Sequence, residues 1–565
     1  MTEVTRPLRP RATADAPALR ELDPVLARVY AARGVRDPAE LDYGLANLVP
    51  VSSLENIEAA VELLRRHRDG RIVVVGDFDA DGATSTAVML RCLRAFGFPD
   101  VGYIVPNRFD YGYGLSTELV EVIAPRDPSL IVTVDNGVSS MEGVAAARNR
   151  GIDVLVTDHH LPGERLPEAN VMLNPNVGND GFAAKSLAGV GVAFYLMAAL
   201  GRTLSTSGDA RPSKVPATYL DLVALGTIAD VVPLDRNNRI LVEQGLTRIR
   251  AGQCVAGITA LMRAGRRSSN RVTSSDLAFA VGPRLNAAGR LEDMSVGIEC
   301  LLTDDAALAG SYAERLDQIN AERRNIEATM RDEALSSVDR MDAARLPACV
   351  SLFDPGWHVG VVGLVAARVK ERYHRPVFAF ACDNDDELKG SGRSVSGVHL
   401  RDLLEAVDSA NPGLLIKYGG HAMAAGLSLK TEDFERFRDS AASIMSKRYP
   451  TLDMSGAIVT DGVLPGEKLN REFAQVLRVS GPWGAGFPEP TFQGDFRVVD
   501  QRVVGENHLK LRVTPSGQRD AIDAIAFNQH YPGLRRDIRM AYRLDVNEFR
   551  GIESAQLIVE QITEI

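Results

Sequence analysis

"GDFDADGATSTA", residues 76–87, follows the apolar run "RIVVV" and sets three aspartates, Asp77, Asp79 and Asp81, at alternate positions. In an extended chain alternate side chains share a face, so the three carboxylates are expected to point one way at a strand's end. Working outward, two later apolar runs end in the same manner: "LIVTVDNG" delivers Asp135, and "DVLVTDHH" delivers Asp158, His159 and His160. A fourth apolar stretch, "YLDLVALGTIADVVPL", delivers Asp230. Before the first run lies "NIEAAVELLRRHRDG", and between the runs lie "TSTAVMLRCLRAFG" and "MEGVAAARNRG", all of helical character. Short β-rich runs separated by helices predict a parallel sheet, and such sheets bind ligands outside the carboxyl ends of their strands. If the runs are neighbours, the acids converge on one sheet edge.

A cluster of this kind cannot stay ionised without cations, because each uncompensated charge raises the others' pKa values and opposes folding. Oxygen-rich donors with a minority of imidazole suit Mn²⁺ or Mg²⁺, whereas structural zinc prefers Cys and His. One ion rarely needs so many carboxylates. Two ions sharing one carboxylate use them all, an arrangement that activates water and stabilises phosphoryl oxygens. Alone, an Asp-x-Asp-x-Asp stretch is often a solvated turn or a helix N-cap, and Asp-His-His a surface turn; recurrence at four places carries the reading. No Gly-x-x-x-x-Gly-Lys-Ser/Thr loop accompanies it, so the phosphate chemistry is not that of a P-loop.

The 565 residues exceed one core, and 45% hydrophobic with 24% charged residues is ordinary for a soluble globular protein. A net charge of −10 excludes a uniformly basic coat but not a local basic groove. Five cysteines without a Cys-x-x-Cys pair indicate a reducing compartment. With no signal peptide and no membrane span expected, the chain reads as cytoplasmic.

The text divides into an N-terminal segment (1–50), a parallel-sheet domain (51–304), a long connecting helix (305–344), a second α/β domain (345–457) and a β-rich domain (458–565) read as a small barrel. In the last of these, Lys510 and Arg512 alternate with Leu509 and Leu511, predicting a strand with one basic face.

"GDFDADG", "TVDNG", "TDHH" and "GTIADVVPL", in this order, resemble the four motifs of the DHH phosphoesterase superfamily. "KYGGHAMAAGLSL" resembles the Gly-Gly-His motif of its companion DHHA1 domain. "GPRLNAAGRL", "GWHVGVVGLVAARV" and "GSGRSVSGVHL" extend the resemblance over nearly the whole chain, to the bacterial single-strand-specific exonucleases of that superfamily. The resemblance implies an α/β multidomain enzyme with an OB-like C-terminal barrel, acting 5′→3′ on single-stranded DNA and releasing 5′-mononucleotides with two divalent cations, Mn²⁺ or Mg²⁺. It further implies a monomer, with a single-strand-binding protein and a RecQ-type helicase as partners, serving DNA repair and recombination. Residue by residue, Asp77 and Asp79 would serve one ion and Asp81, His159 and Asp230 the other, with Asp135 bridging. Asp158 would orient the imidazoles and His160 would face the scissile phosphate. Asp79, Asp81, Asp135, His159, His160 and Asp230 form the catalytic set. Many members carry a ligand histidine where this chain has Val75.

For phosphate and DNA contacts the candidates are Arg108, Arg284, Asn286, Arg290, Ser391, Arg393, Gly420 and His421, most of them in Gly-rich loops whose backbone permits close approach. Trp357, His358 and His399 are weaker candidates; His67, His374, His508 and His530 read as structural or surface. Two alternatives are a phosphoesterase of small molecules or oligoribonucleotides and a non-catalytic DNA-binding scaffold. The added β domain argues against the first and the retained acids against the second.

Overall fold

The computed structural model describes residues 6–107, 113–178, 181–206, 209–341, 346–384, 386–505, 508–529, 531, 534, 536–549 and 551–565. Arg108 and His530 lie outside the described residues. The chain forms two compact units, one of residues 1–7 with 319–458, the other of residues 8–318 with 459–565.

In the larger unit, β1 (Ile72–Val75), β2 (Val101–Ile104), β3 (Leu130–Val134), β4 (Asp153–Thr157) and β5 (Val171–Leu173) form a wholly parallel sheet in the order β2-β1-β3-β4-β5. Both faces are covered, as an all-parallel sheet requires. Ile72 and Val74 pack into one apolar cluster, while Val73 and Val75 pack into another with Leu119, Ile131 and Val144. The chain leaves β1 for β2 on one side and returns to β3 on the other. That reversal is the switch point at which doubly wound sheets open a crevice.

Four helices frame the crevice: α1 (Ala80–Ala95), α2 (Gly189–Leu204), α3 (Leu220–Ala229) and α4 (Gly282–Leu291). The stretch expected to carry Asp230 on a sheet strand is α3 instead. Apart from Asp221 and Thr227 its residues are apolar, Leu220 to Ile228 are all buried, and such a run cannot be told from a buried strand by periodicity. The expected extended alternation of Asp77, Asp79 and Asp81 is also corrected: β1 stops at Val75, Asp79 caps α1, and Asp81 sits in its first turn.

β11 (Phe492–Val504), β12 (His508–Pro515), β13 (Ile522–Ala526), β14 (Asp537–Phe549) and β15 (Ile552–Glu564) close into a barrel in the order β11-β12-β13-β15-β14. It shares a single apolar cluster with the parallel-sheet region, running from Val29 through Leu90 to Leu511 and Ile562.

In the smaller unit, β6 (Val350–Phe353), β7 (Val377–Cys382), β8 (Glu387–Arg393), β9 (Lys417–Gly420) and β10 (Ala424–Lys430) form a mixed sheet in the order β9-β10-β8-β7-β6. Phe378, Phe380, Leu403 and Phe437 are among its core residues. The helix α5 (Ala306–Asp339) is the expected long connector, and Gln318 and Ile319 fall on either side of the division between units.

Candidate metal centre

The carboxyl ends of β1, β3 and β4 and the end of α3 bring the predicted acids together. Ligand atoms of Asp77, Asp79 and Asp135 lie within 4.8 Å of one another, as do those of Asp81, His159 and Asp230, and those of Asp135, His159 and His160. His159 Nε2 is 3.1 Å from Asp135 Oδ1 and 3.5 Å from Asp230 Oδ2. Asp77, Asp81, Asp135 and Asp158 are all buried.

Each acid is held by its own local device. Asp79 Oδ1 accepts from the N–H groups of Asp81 (2.9 Å) and Gly82 (3.0 Å), the normal work of an N-cap. Asp81 accepts from Gly189 N (2.7 Å) and Val190 N (3.0 Å), at the amino end of the sixteen-residue α2, where the helix dipole favours an anion. Asp135 adopts a left-handed backbone (φ 62°), tolerable for Asp, and turns the chain off β3. A side chain at Gly189 would put its Cβ 2.6 Å from the Cβ and Oδ1 of Asp135, so only glycine allows α2 this close.

Asp158 does a different job. Its Oδ1 accepts from His159 N (2.7 Å) and His160 N (3.1 Å) and lies 2.7 Å from His160 Nδ1, while Oδ2 accepts from Val138 N (2.8 Å). Although burial alone would raise it, the bond to His160 and the nearby imidazoles hold its pKa below the usual range. The His160 imidazole, despite burial, is pushed up to about 9 by Asp158. By contrast, Asp81 and Asp135 are raised well above the ordinary carboxyl value, first by burial and then by the other acids. Asp230 is pushed up to about 7, by burial and by Asp79.

The donor set fits divalent cations. It is oxygen-rich with a minority of imidazole, and among the described residues its acids repel one another with no buried Lys or Arg between them. Asp135 Oδ1 is buried and makes no hydrogen bond among the described residues. Val75 belongs to the apolar cluster that contains Val73 and Ile131, and the first ligand group consists of carboxylates alone.

Of the phosphate candidates, Asn286 accepts from Ala80 N (2.7 Å) and so ties α4 to the acidic loop. Gly289 makes the same contact tighter still, since a Cβ there would lie 1.7 Å from the Phe78 carbonyl oxygen. Arg284 is engaged by the carbonyls of Ala280 and Ala264 and pairs with Asp317 at 2.7 Å. Arg290 occupies the last turn of α4. In the smaller unit, Arg393 Nη1 donates to Ser391 Oγ (3.0 Å) and Gly392 O (2.7 Å), and no carboxylate pairs with it among the described residues. Gly420 (φ 137°) turns the chain from β9, and His421 N donates to Ala424 O. Trp357 donates to Glu333, Gly360 N donates to His358, and His399 caps the helix Leu400–Ala410. His67 pairs with Asp153 at 2.9 Å.

Sequence reasoning missed four residues. Asn136 Nδ2 bridges the carbonyls of Val75 (3.0 Å) and Val134 (2.9 Å), fastening β1 to β3. Asn174 and Asn176 donate to the carbonyls of His160 and His159. Tyr113 sets its hydroxyl 3.2 Å from the Asp135 carbonyl and its ring edge-on to Phe78 and His160. The asparagines could have been found by the rule that found the acids, because "VMLNPN" also ends an apolar run.

Comparison with known proteins agrees with this architecture. Residues 71–227 match the DHH family N-terminal domain, 346–447 the DHHA1 domain and 460–561 the RecJ OB domain. The single-stranded-DNA-specific exonuclease RecJ of Dickeya dadantii is 52% identical, each chain covered in full, and that of Escherichia coli is 51% identical over 98% of both. The crystal structure of RecJ in complex with Mn²⁺ from Thermus thermophilus superimposes with a TM-score of 0.82 at 30% identity, covering 99% of this chain and 80% of that one. A Mg²⁺ complex of the same protein matches with a TM-score of 0.75. Full-length identity near one half, with all three domain matches in order, establishes that the chain belongs to the RecJ family of single-stranded-DNA-specific exonucleases.

Proposed function

We propose that this chain hydrolyses single-stranded DNA from the 5′ end, releasing 5′-mononucleotides in DNA repair and recombination. The observation that carries the reading is the meeting of two ligand groups, Asp77–Asp79–Asp135 and Asp81–His159–Asp230, at one sheet edge. The first group would hold one divalent cation and the second another, with Asp135 shared between them. Bound Mn²⁺ or Mg²⁺ supplies an activated water and compensates the charge of the phosphoryl oxygens.

The chain's own residues do the rest. Asp158 fixes the His160 ring and raises its pKa, which favours the charged form that can donate to a phosphate oxygen. Asp135 in its left-handed turn, and Asn136 across β1 and β3, fix the distance between the two ligand groups. In the smaller unit, Arg393 with Ser391, Gly420 and His421 would take a terminal phosphate, the guanidinium being committed to no carboxylate among the described residues. Asn286, Arg284, Arg290 and Arg108 complete the proposed DNA contacts.

The proposed domains are a DHH phosphoesterase domain (51–304) after an N-terminal segment (1–50), the connecting helix (305–344), a DHHA1 domain (345–457) and an OB-like nucleic-acid-binding domain (458–565). The same reading puts the chain in the cytoplasm, beside a single-strand-binding protein and a RecQ-type helicase. Five cysteines without a disulfide support the reducing compartment. No helix among the described residues is long and apolar enough to cross a membrane.

The test uses single strands labelled at the 5′ or the 3′ end, incubated with Mn²⁺, Mg²⁺ or EDTA. Immediate release of the 5′ label as a mononucleotide, with either ion and not with EDTA, is expected. First release of the 3′ label would reverse the polarity, and undiminished cleavage in EDTA would remove the metal chemistry.

A further inference from the structure

The second ligand group draws on three separate stretches of chain: Asp81 in α1, His159 after β4 and Asp230 after α3. A row of hydrogen bonds made by two asparagine side chains joins the backbones of the last two. Asn176 Nδ2 donates to His159 O (2.6 Å) and to Lys185 O (3.2 Å). One peptide further on, Ser186 O accepts from Asn238 Nδ2 (2.7 Å), which also donates to Pro233 O (3.0 Å). Pro233 stands three residues after Asp230, and Ser186 three residues before Gly189, whose N–H holds Asp81.

The bridge is built for position rather than to fill space. Asn238 is fully buried, and its carboxamide gives both bonds to carbonyls while its own Oδ1 makes no hydrogen bond among the described residues. A buried acceptor left unmade costs stability, so a residue that merely filled this space would be apolar. The Asn238 N–H donates to Asp235 Oδ1 (2.8 Å) in the first turn of the helix Arg236–Arg250, which gives the side chain a fixed origin. Between Asp230 and Pro233, Val231 takes a left-handed backbone (φ 64°), an outlier for a β-branched residue, and its side chain is 67% exposed. Such a conformation persists only where the surroundings fix the chain on both sides. Before Val231, Asp230 N donates to Gly226 O (2.9 Å) within α3. After it, Asn238 holds Pro233 O, and Leu234 N donates to Ala485 O (2.7 Å).

We infer that Asn176 and Asn238 are positioning residues for the second cation, acting in series to set the separation of His159 and Asp230, whose Nε2 and Oδ2 stand 3.5 Å apart. The inference rests on the two-cation reading and adds which residues outside the ligand set preorganise one of its halves. A carboxamide suits the task because it offers two donors and brings no charge to a site crowded with acids. Partners of this kind orient the ligating side chains, and their loss weakens a metal site by about 10- to 100-fold. The first group is fastened by another device, Asn136 across β1 and β3, so the two halves are separable.

The test titrates metal-free, full-length protein with Mn²⁺. Bound ion is read by calorimetry and by the nitrogen hyperfine coupling that an imidazole ligand imposes on the Mn²⁺ spin-resonance signal. Wild type should bind two equivalents, one of them nitrogen-coupled. Asn176→Ala and Asn238→Ala should each weaken the coupled equivalent by about 10- to 100-fold and leave the other unchanged. Because the two act in series, the double variant should lose little more than either alone. At limiting Mn²⁺ kcat should fall with KM for single-stranded DNA unchanged, and saturating Mn²⁺ should restore it. Asn176 is only part-buried, so its variant decides the matter if Asn238→Ala does not fold. Wild-type affinity for the coupled equivalent in the folded variants, or an equal weakening of both equivalents, would overturn the inference and leave the two-cation reading standing. A single equivalent bound by wild type would remove that reading and the inference with it.

Discussion

The sheet edge and the barrel treat charge in opposite ways. At the edge, Asp77, Asp79, Asp81, Asp135 and Asp230 crowd together with only imidazoles for company, and three of the five are held as reluctant anions. In the barrel, several charges find a partner of opposite sign. Lys510 pairs with Asp523 at 2.9 Å, and Arg512 lies in register with Asp500 on one side and Asp523 on the other. Arg539 pairs with Asp495, and Arg543 with Glu489. On the strand face expected to be basic, Lys510 is thus paired and Arg512 stands opposite two acids, while Arg502 lies opposite Lys510. Uncompensated charge that opposes folding is the mark on which the proposed reactive region rests, and the paired charges of the barrel do not carry it.

The largest effect expected from this contrast follows Asp135→Ala. Removing the shared carboxylate should lower cleavage by about a thousand-fold or more, a loss of about 4 kcal/mol of barrier reduction. Folding should be retained, and thermal unfolding in EDTA should occur at the same temperature or higher, since one repelling buried anion is gone. Near-normal turnover of this variant in excess Mn²⁺ would erase the distinction between the two regions.

Next comes the pH dependence of the stripped protein. An acid whose folded pKa is raised contributes stability that is present below its unfolded value and lost as pH rises through the folded one. For Asp230 the window runs from about 4 to about 7. His160, also raised, loses its contribution between its ordinary value and about 9. Both slopes have the same sign, so the EDTA-treated chain should melt at lower temperature as pH climbs from about 6 to 9, Asp230 contributing at most about 1.4 kcal/mol of that loss. Saturating Mn²⁺ should flatten the trend, because deprotonated ligands bind the ion better. A melting temperature that rises with pH without metal would contradict the assigned shifts.

A smaller effect tests the scaffold of the edge. Gly289→Ala would drive a methyl into the Phe78 carbonyl, and overpacking of this kind costs about 1–3 kcal/mol. Mn²⁺ affinity should fall with it, because α4 supports the acidic loop; an unchanged melting curve and unchanged affinity would show that the helix is free to shift. The smallest effect is expected in the barrel. Lys510→Ala should change single-strand affinity by less than about 1 kcal/mol, as measured by titration across salt concentrations. A loss of one full counterion from the salt slope would mean that Lys510 meets phosphate despite Asp523.

The same contrast explains what could be read in the sequence. The acids were legible because each one ends an apolar run, a signal local in the chain, and the strands β1, β3 and β4 fall where the runs "RIVVV", "LIVTV" and "DVLVT" stand. The placement of Asp230 on a helix was not, because a short apolar run buried on all sides has the same letters in either state. The cap of α1 displaces the expected alternation of Asp77, Asp79 and Asp81 for a similar reason, since the extended segment ends at Val75, before the first of the three acids. Cross-strand partners such as Asp523 opposite Arg512 are set by register, which no single segment encodes. Tyr113 reaches Asp135 only through a loop whose path depends on the finished sheet.

The central claim is that the sheet edge is built for two cations sharing Asp135, and counting the ions tests it most directly. Metal-free protein titrated with Mn²⁺ at about neutral pH, with bound ion followed by calorimetry and by the loss of the free-ion spin-resonance signal, should take up two equivalents per chain. Cleavage should appear only as the second site fills. Saturation of full activity at one equivalent, or the uptake of two equivalents by Asp135→Ala with wild-type affinity, would contradict the account.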